Sequence, residues 1–579
     1  TLQSDRAAFV LTSNHFRLEH NSDGQIKGIT VDKAHVFYGI PYADPPVGAY
    51  RWKPPRPVSP WAGVYDASFP RAACVQVCTG PITEECPHTV SEDCLYLNIF
   101  VPLDVNFSSP LWSPLPVMVW IHGGDFIAGS ASKPLYDGRF ISNFTHTVIV
   151  NLEYRLGAFG FLVSGKDPHT SAAGNYGILD QQAALLWVQR NIAVFGGDPS
   201  KVTIFGESAG AQSASLHLMI QSSKPLFKQA VLQSLPFSIP LKTRKIAQMN
   251  HSEPAGNIQH LFGLYFFCCA GTTSEEGVLF VYGVFNKPVS AVECTVYITA
   301  IFKQHALRIL HKYLPLYRDA DRRDMLAQVR RAPNAIGGNG QDNQSVLTSI
   351  LLWWEILPII HPLCLKIMFM GPTYCLLYLP QIVTDYVFLC PSRRSARAGT
   401  VAGSNVWMYV FDHIASDHRV WSGLSFCYQH ACHGAELPFL FDSASVANFT
   451  LSPPEKLLSN RMLCYWGAFA HTGDPSSRVH QTTFCREQRL PVWPRYSDTS
   501  GWLVMNLTVR SHAQVGTRNH ICDFWDQLGY YFFFYFYSRV SLCPSLIVKM
   551  SDKLKEINER QTKQIGHIFP HRCMAQSSS

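Results

Sequence analysis

The sequence predicts an α/β fold with a large, mostly parallel central sheet flanked by helices. Three observations carry that expectation. Short apolar runs stop at glycine turns, segments with helical spacing separate them, and the alternation recurs from residue 117 to 233. Strand, helix, strand in that order implies parallel neighbours, because a parallel pair needs a crossover.

The elements follow in chain order. Residues 117–121 (VMVWI) form an apolar run ending at His122-Gly123-Gly124, the pattern of a buried strand feeding a glycine turn. Residues 148–150 repeat it. Residues 176–189 carry Ile178, Leu179, Ala183, Leu186 and Trp187 at helical spacing, ahead of a Gly196-Gly197-Asp198-Pro199 break and the strand-like 202–205. Helical material resumes after Gly210 over 211–219, and 230–233 reads as the next strand. No internal repeat is visible.

Composition narrows the function classes. The chain has 579 residues, 47% hydrophobic and 15% charged, enough apolar material for a sizeable core and too little charge for disorder. A net charge of +7, spread without a basic run, argues against a nucleic-acid partner. Four of the 17 cysteines, Cys74, Cys78, Cys86 and Cys94, crowd into a stretch rich in turn formers. Their spacing, with His88 misplaced between them, fits a zinc site poorly, so disulfides are favoured and no metal is expected. Sequons at Asn106, Asn143, Asn250, Asn343, Asn448 and Asn506 agree with a glycosylating, oxidising lumen, and the chain is read as secreted or secretory. Thr1 opens a segment without signal-peptide features, read as a mature or truncated end. The apolar stretches 346–380 and 529–548 are broken by Glu355, Pro358, Pro362, Lys366 and Pro372, and by Arg539, so no clear membrane span is expected.

Gly206-Glu207-Ser208-Ala209-Gly210 lies between a predicted strand and a predicted helix, the context of a nucleophile elbow. There a serine on a strained turn lifts its hydroxyl above the sheet, and the small flanking residues permit the turn. His122-Gly123-Gly124-Asp125-Phe126 supplies a second glycine turn, whose backbone N–H groups can approach a developing oxyanion. Gly123, Gly124 and Ala209 are the expected oxyanion donors.

With these motifs the chain resembles the type-B carboxylesterase family, which includes the cholinesterases. The matching segments are Phe37-Tyr38-Gly39-Ile40-Pro41-Tyr42-Ala43, Ser91-Glu92-Asp93-Cys94-Leu95-Tyr96-Leu97-Asn98, the HGGDF and GESAG motifs, Glu275-Glu276-Gly277, and Cys432-His433-Gly434-Ala435-Glu436-Leu437. They span about 10–235, 271–332 and 381–527. The resemblance implies an α/β-hydrolase fold and a Ser208, Glu276, His433 triad, with Glu275 the close competitor for the acid and Glu207 supporting the elbow. It implies structural ion pairs Arg51–Glu92 and Arg155–Asp180, and disulfides Cys74–Cys94 and Cys390–Cys522. Cys78–Cys86 is a further inference and Cys427–Cys432 a weaker one.

The implied activity is hydrolysis of a small-molecule carboxylic ester through an acyl-enzyme, with no cofactor. No tryptophan stands between Cys74 and Cys94, where cholinesterases carry one to hold a quaternary ammonium, so neutral, fairly apolar esters are expected. The rival readings are a non-catalytic binding member of the superfamily and an interfacial lipase. One hydrolase domain over 1–527 is expected, shortened around 238–270 and interrupted by an insertion at 334–380, with an atypical tail at 528–579. The abrupt edges of these departures point to altered splicing or an imperfect gene model.

Overall fold

A computed structural model describes residues 24–76, 86–107, 113–164, 172–239, 267–285, 291–313, 379–516 and 518–530. Its frame is a sheet of 11 strands among the described residues. In chain order these are β1 Ile29–Val31, β2 Ala34–Pro41, β3 Tyr96–Pro102, β4 Leu115–Ile121, β5 Val148–Leu152, β6 Gly197–Glu207, β7 Gln229–Gln233, β8 Phe267–Thr273, β9 Asn405–Phe411, β10 Leu503–Leu507 and β11 His512–Val515. Their spatial order is β1-β2-β3-β5-β4-β6-β7-β8-β9-β10-β11. Every pairing from β5 to β10 is parallel. The edge pairings β1–β2, β2–β3, β3–β5 and β10–β11 are antiparallel.

The principal helices are α1 Gly138–Thr145, α2 Tyr176–Asn191, α3 Ala209–Met219, α4 Gly277–Val284, α5 Ala291–Phe302, α6 Ala306–Tyr313, α7 Cys390–Val401, α8 Pro453–Thr472 and α9 Asn519–Leu528. Every residue of β4, β5 and β7 is buried. That is why these strands read as continuous apolar runs: a parallel strand covered on both faces has no solvent side to alternate with. The faces divide by residue parity. Val117, Val119 and Ile121 pack with Leu185 and Val188 of α2 and Ala211 and Ala214 of α3. Met118 and Trp120 pack on the opposite face with Ile141 of α1 and Leu458, Met462 and Trp466 of α8. A third cluster joins Ile298, Phe302 and Ile309 to Tyr386 and to Trp525 of α9. The Cys390–Cys522 disulfide ties α7 to α9 there.

The strand that precedes Glu276, β8, begins at Phe267 and is built from FCCAGTT; 261–266 lie outside the described residues. Gly271 is required in it, since a Cβ there would stand 2.0 Å from the Tyr409 ring of β9. Helices α5 and α6 are joined by a 3-10 turn at Lys303–His305; 314–331 lie outside the described residues. Most of 334–380 and of the tail also lies outside them, and no helix among the described residues is long and apolar enough to cross a membrane.

Candidate active site

The site is built at the carboxyl ends of β4, β6 and β8, where loops leave a parallel sheet and backbone groups are free of the ladder. β6 ends at Glu207, Ser208 follows with φ 56° and ψ −122°, and α3 begins at Ala209. A serine in this sparsely populated conformation is held there by its surroundings. Its N–H donates to the Gln233 carbonyl of β7 at 2.9 Å, and its carbonyl accepts from Gln212 at 2.9 Å. Gly210 sits so close to β4 that a Cβ would lie 1.9 Å from the Ile121 carbonyl oxygen. The glycine after the serine is therefore a packing requirement that brings α3 over the strand end.

The second glycine turn closes on the same point. A Cβ on Gly123 would lie 2.8 Å from the Glu207 carbonyl oxygen and 3.2 Å from Ser208 Cβ. Gly124 has φ 112°, and a Cβ there would meet the Ala128 carbonyl oxygen at 2.1 Å. The Gly123 and Gly124 amides donate to no described residue. Ala209 is the first residue of α3, where an N–H has no intrahelical acceptor. The turn is fastened from behind by His122, which is fully buried, has Nδ1 2.8 Å from the Gly123 carbonyl oxygen and stacks on Tyr154.

Glu276 and His433 meet from opposite sides of a long sequence gap. Glu276 follows β8, is fully buried, and accepts the Thr273 N–H at 2.7 Å through Oε1. Its Oε2 lies 2.5 Å from His433 Nδ1. Gly277 must be glycine because a Cβ would stand 2.0 Å from the Pro380 carbonyl oxygen. Glu275 points elsewhere: its carboxylate is 2.8 Å from His430 Nδ1 and accepts the Ala431 N–H at 3.0 Å. Of the two competing acids, Glu276 is the one against His433, while Glu275 pins the loop that delivers it. The Cys427–Cys432 disulfide staples that same loop one residue before the histidine.

The other imidazole nitrogen departs from expectation. His433 Nε2 lies 2.9 Å from Glu207 Oε1, and Ser208 Oγ makes no hydrogen bond to a described residue. Glu207, read from sequence as support for the elbow, faces the histidine instead. The ring sits between Phe280 of α4 and Phe388, with centroids 4.9 and 5.0 Å away. Phe388 is delivered by a π-helical run at Thr384–Leu389 that leads into α7. Phe280 is 38% exposed.

A third carboxyl, Glu436, is fully buried behind them, accepting from Gln233 Nε2 at 3.2 Å and from the Tyr409 hydroxyl at 3.4 Å. Burial, then the charges of Glu207 and Glu276, push its pKa up to about 8, so it is protonated at neutral pH. For His433, burial works against the charged form, but the carboxylates of Glu207 and Glu276 outweigh it and raise its pKa well above the usual histidine range. Sequence reasoning did not find Phe280, Phe388 or the role of Glu436. Only Glu436 had a signal, its place in the segment running from Cys432 to Leu437.

The supporting residues divide similarly. Arg51 donates to both oxygens of Glu92 at 2.5 and 2.6 Å, and Arg155 donates to both oxygens of Asp180 at 2.7 Å. Disulfides join Cys74–Cys94, Cys390–Cys522, Cys427–Cys432 and, without any motif to announce it, Cys464–Cys485. Cys86 is disulfide-bonded, and Cys78, its expected partner, lies outside the described residues. Asn106, Asn143 and Asn448 are exposed, and Asn250 and Asn343 lie outside the described residues. Asn506 differs from the other described sequon residues: it is only 7% exposed and lies in β10, paired with β9 and β11.

Comparison with known proteins gives a consistent result. The family model described as "Carboxylesterase family" matches residues 14–259 and 378–525. The chain is 31% identical to an acetylcholinesterase of Bungarus fasciatus, over 94% of this chain and 89% of that protein. It is 32% identical to the crystal protein of Dictyostelium discoideum, over 88% and 90%. It is 30% identical to the pyrethroid hydrolase Ces2e of Rattus norvegicus, over 85% and 86%.

Proposed function

This chain belongs to the carboxylesterase family and is a serine ester hydrolase of the carboxylesterase type, and from that premise we propose that Ser208, His433 and Glu276 are its catalytic triad. The observation that carries the reading is the 2.5 Å contact of His433 Nδ1 with buried Glu276, beside a serine in the strained elbow conformation. His433 Nε2 takes the Ser208 proton as Oγ attacks the ester carbonyl, giving a tetrahedral intermediate. Its oxyanion is held by the N–H groups of Gly123, Gly124 and Ala209, which have no competing acceptor among the described residues outside helix α3. The imidazolium then protonates the departing alkoxide, which leaves as alcohol and an acyl-Ser208. Water, deprotonated by the same nitrogen, reverses the sequence and releases the acid. Glu276 keeps Nδ1 protonated and balances the imidazolium charge.

Neutral, fairly apolar esters are the proposed substrates. The aromatic walls of Phe280 and Phe388 support this, as does the lack of tryptophan between Cys74 and Cys94. The named relatives include both an acetylcholinesterase and a pyrethroid hydrolase, so the choice is a measurement. Purified protein mixed rapidly with a nitrophenyl acetate should release a burst of one nitrophenol per chain and then turn over steadily. Acetylthiocholine should be the poorer substrate by kcat/KM. Absence of a burst together with no turnover counts against the triad; faster acetylthiocholine hydrolysis counts against the substrate class alone. The disulfides and exposed sequons also support a secretory-lumen location as a proposal.

A further inference from the structure

Resting on the reading of Gly123 and Gly124 as oxyanion donors, we propose that Gln76, in the stretch between Cys74 and Cys94, is a positioning residue that locks the oxyanion turn through a two-point clasp on Gly129. The clasp uses both ends of one half-buried side-chain amide. Gln76 Oε1 accepts the Gly129 N–H at 2.9 Å, and its Nε2 donates to the Gly129 carbonyl at 2.7 Å. The same Nε2 donates to the Cys74 carbonyl at 3.0 Å, and Cys74 is bridged to Cys94 just ahead of β3. A planar amide can serve a donor and an acceptor together, which a carboxylate or an alkyl chain cannot. The disulfide stretch is thereby tied to residue 129.

Gly129 matters because of what it stands against. It has φ 116°, and a Cβ there would lie 2.4 Å from His122 Nδ1 and 2.5 Å from the Gly123 carbonyl oxygen, so its backbone packs on the hydrogen bond between those two atoms. A carbonyl can only accept, so Nδ1 carries the proton and donates. The peptide that joins Gly123 to Gly124 is rigid and planar, so the bond that draws the Gly123 C=O toward His122 turns the Gly124 N–H the opposite way. The direction of that donor is set from behind. The intervening loop is strained: Asp125 and Phe126 have φ 54° and 59°, a left-handed pair that costs about 1 kcal/mol or more per residue. The Ile127 and Ala128 N–H groups both donate to the Gly124 carbonyl at 3.0 Å, and the Phe126 carbonyl accepts from Gly157 at 2.7 Å. Gln76 fastens the far end of the same loop, where it returns against Gly123. Without the clasp, Gly129 is free to withdraw from the His122–Gly123 bond, and the Gly124 N–H loses its fixed aim.

The test compares wild type, Gln76→Met and Gln76→Glu as full chains. Methionine keeps the length and loses every hydrogen bond; glutamate keeps the acceptor and turns a carboxylate oxygen on two carbonyls. Both should slow the nitrophenol burst from saturating nitrophenyl acetate by about 10–100-fold, with the half-saturating ester concentration unchanged within about 2-fold. A trifluoromethyl ketone gives the readout that a loss of stability alone does not move. Ser208 Oγ adds to its carbonyl carbon, the hydroxyl proton passes to His433, and the ketone oxygen becomes an oxyanion in the same hole. Its affinity should fall by the same factor as the burst rate, while the matching methyl ketone, which binds without adding the serine, should bind as before. An unchanged burst rate or an unchanged trifluoromethyl ketone affinity in folded Gln76→Met overturns this inference and leaves the triad standing. No burst and no ketone adduct in folded wild type overturns the triad and the inference together. Should neither variant fold, hydrogen exchange of the wild type decides: Ile127, Ala128 and Gly129 amides protected to a common degree support the clasp, and a freely exchanging Gly129 amide overturns it.

Discussion

Ser208, Glu276 and His433 come from three separate stretches of chain, and each is fixed by different local physics. Ser208 is held in a left-handed conformation by the β6–α3 junction, Glu276 by burial and the Thr273 amide, and His433 by a stapled loop. Replacing the acid should therefore be far more costly than replacing its neighbour. Glu276→Ala is expected to lower kcat/KM by about 10³–10⁴, because the imidazole loses its orienting partner. Glu275→Ala removes only the pin on His430 and Ala431, and should cost about 10-fold or less. Steady-state ester hydrolysis by the two variants checks this; equal losses would move the acid role into doubt. At this scale the sequence carried the residues of the proposed triad, because each sits in a short motif. It did not carry the direction of the Glu207 side chain. A rotamer that reaches His433 depends on a loop that is 226 residues away in the chain, 433 minus 207, and no local pattern encodes it.

The elements that carry the site are placed by close approaches that only glycine allows. Gly210→Ala puts a methyl 1.9 Å from the Ile121 carbonyl oxygen, so α3 must move off β4; a loss of about 2–4 kcal/mol is expected. Gly283 in α4 is the control, with nothing within 4 Å of its Cβ position, and Gly283→Ala should stabilise by about 0.5–1 kcal/mol. Denaturant unfolding of both proteins separates a packing glycine from a merely helical one. The disulfides divide the same way. Cys464–Cys485 closes a loop with a sequence separation of 21, and its removal by a double Ser substitution should cost about 3 kcal/mol of stability. Cys427–Cys432 has a separation of only 5 and adjoins His433, so its loss should fall mainly on kcat. Strand and helix identities were legible because buried parallel strands read as apolar runs and glycine turns punctuate them. Cys464–Cys485 was not legible: α8 and the Thr483–Glu487 helix meet only through tertiary packing. The burial of Asn506 was not legible for the same reason, since a tripeptide does not report that its strand is buried.

Across the whole molecule, the family model's match stops at residue 259 and resumes at 378, so β8, Glu276 and α4 lie outside its matched segments. β8 is nonetheless seated between β7 and β9 in continuous parallel register. The buried carboxyl cluster gives the fold a pH signature. Glu436 and His433 both have pKa values raised on folding, so each contributes stability at low pH that is lost as pH rises, for Glu436 between the ordinary carboxyl range and about 8. Thermal midpoints should fall from pH 6 to pH 8.5, and Glu436→Gln, which cannot ionise, should flatten that fall; parallel profiles would remove Glu436 as its source. The most direct test of the central claim is to treat folded protein with a fluorophosphonate at pH 8 and map the adduct by peptide mass spectrometry. One adduct per chain on Ser208, absent in Ser208→Ala and formed at least about 100-fold more slowly in His433→Ala, is expected. Folded protein left unmodified at Ser208, or modified as fast without His433, would contradict it.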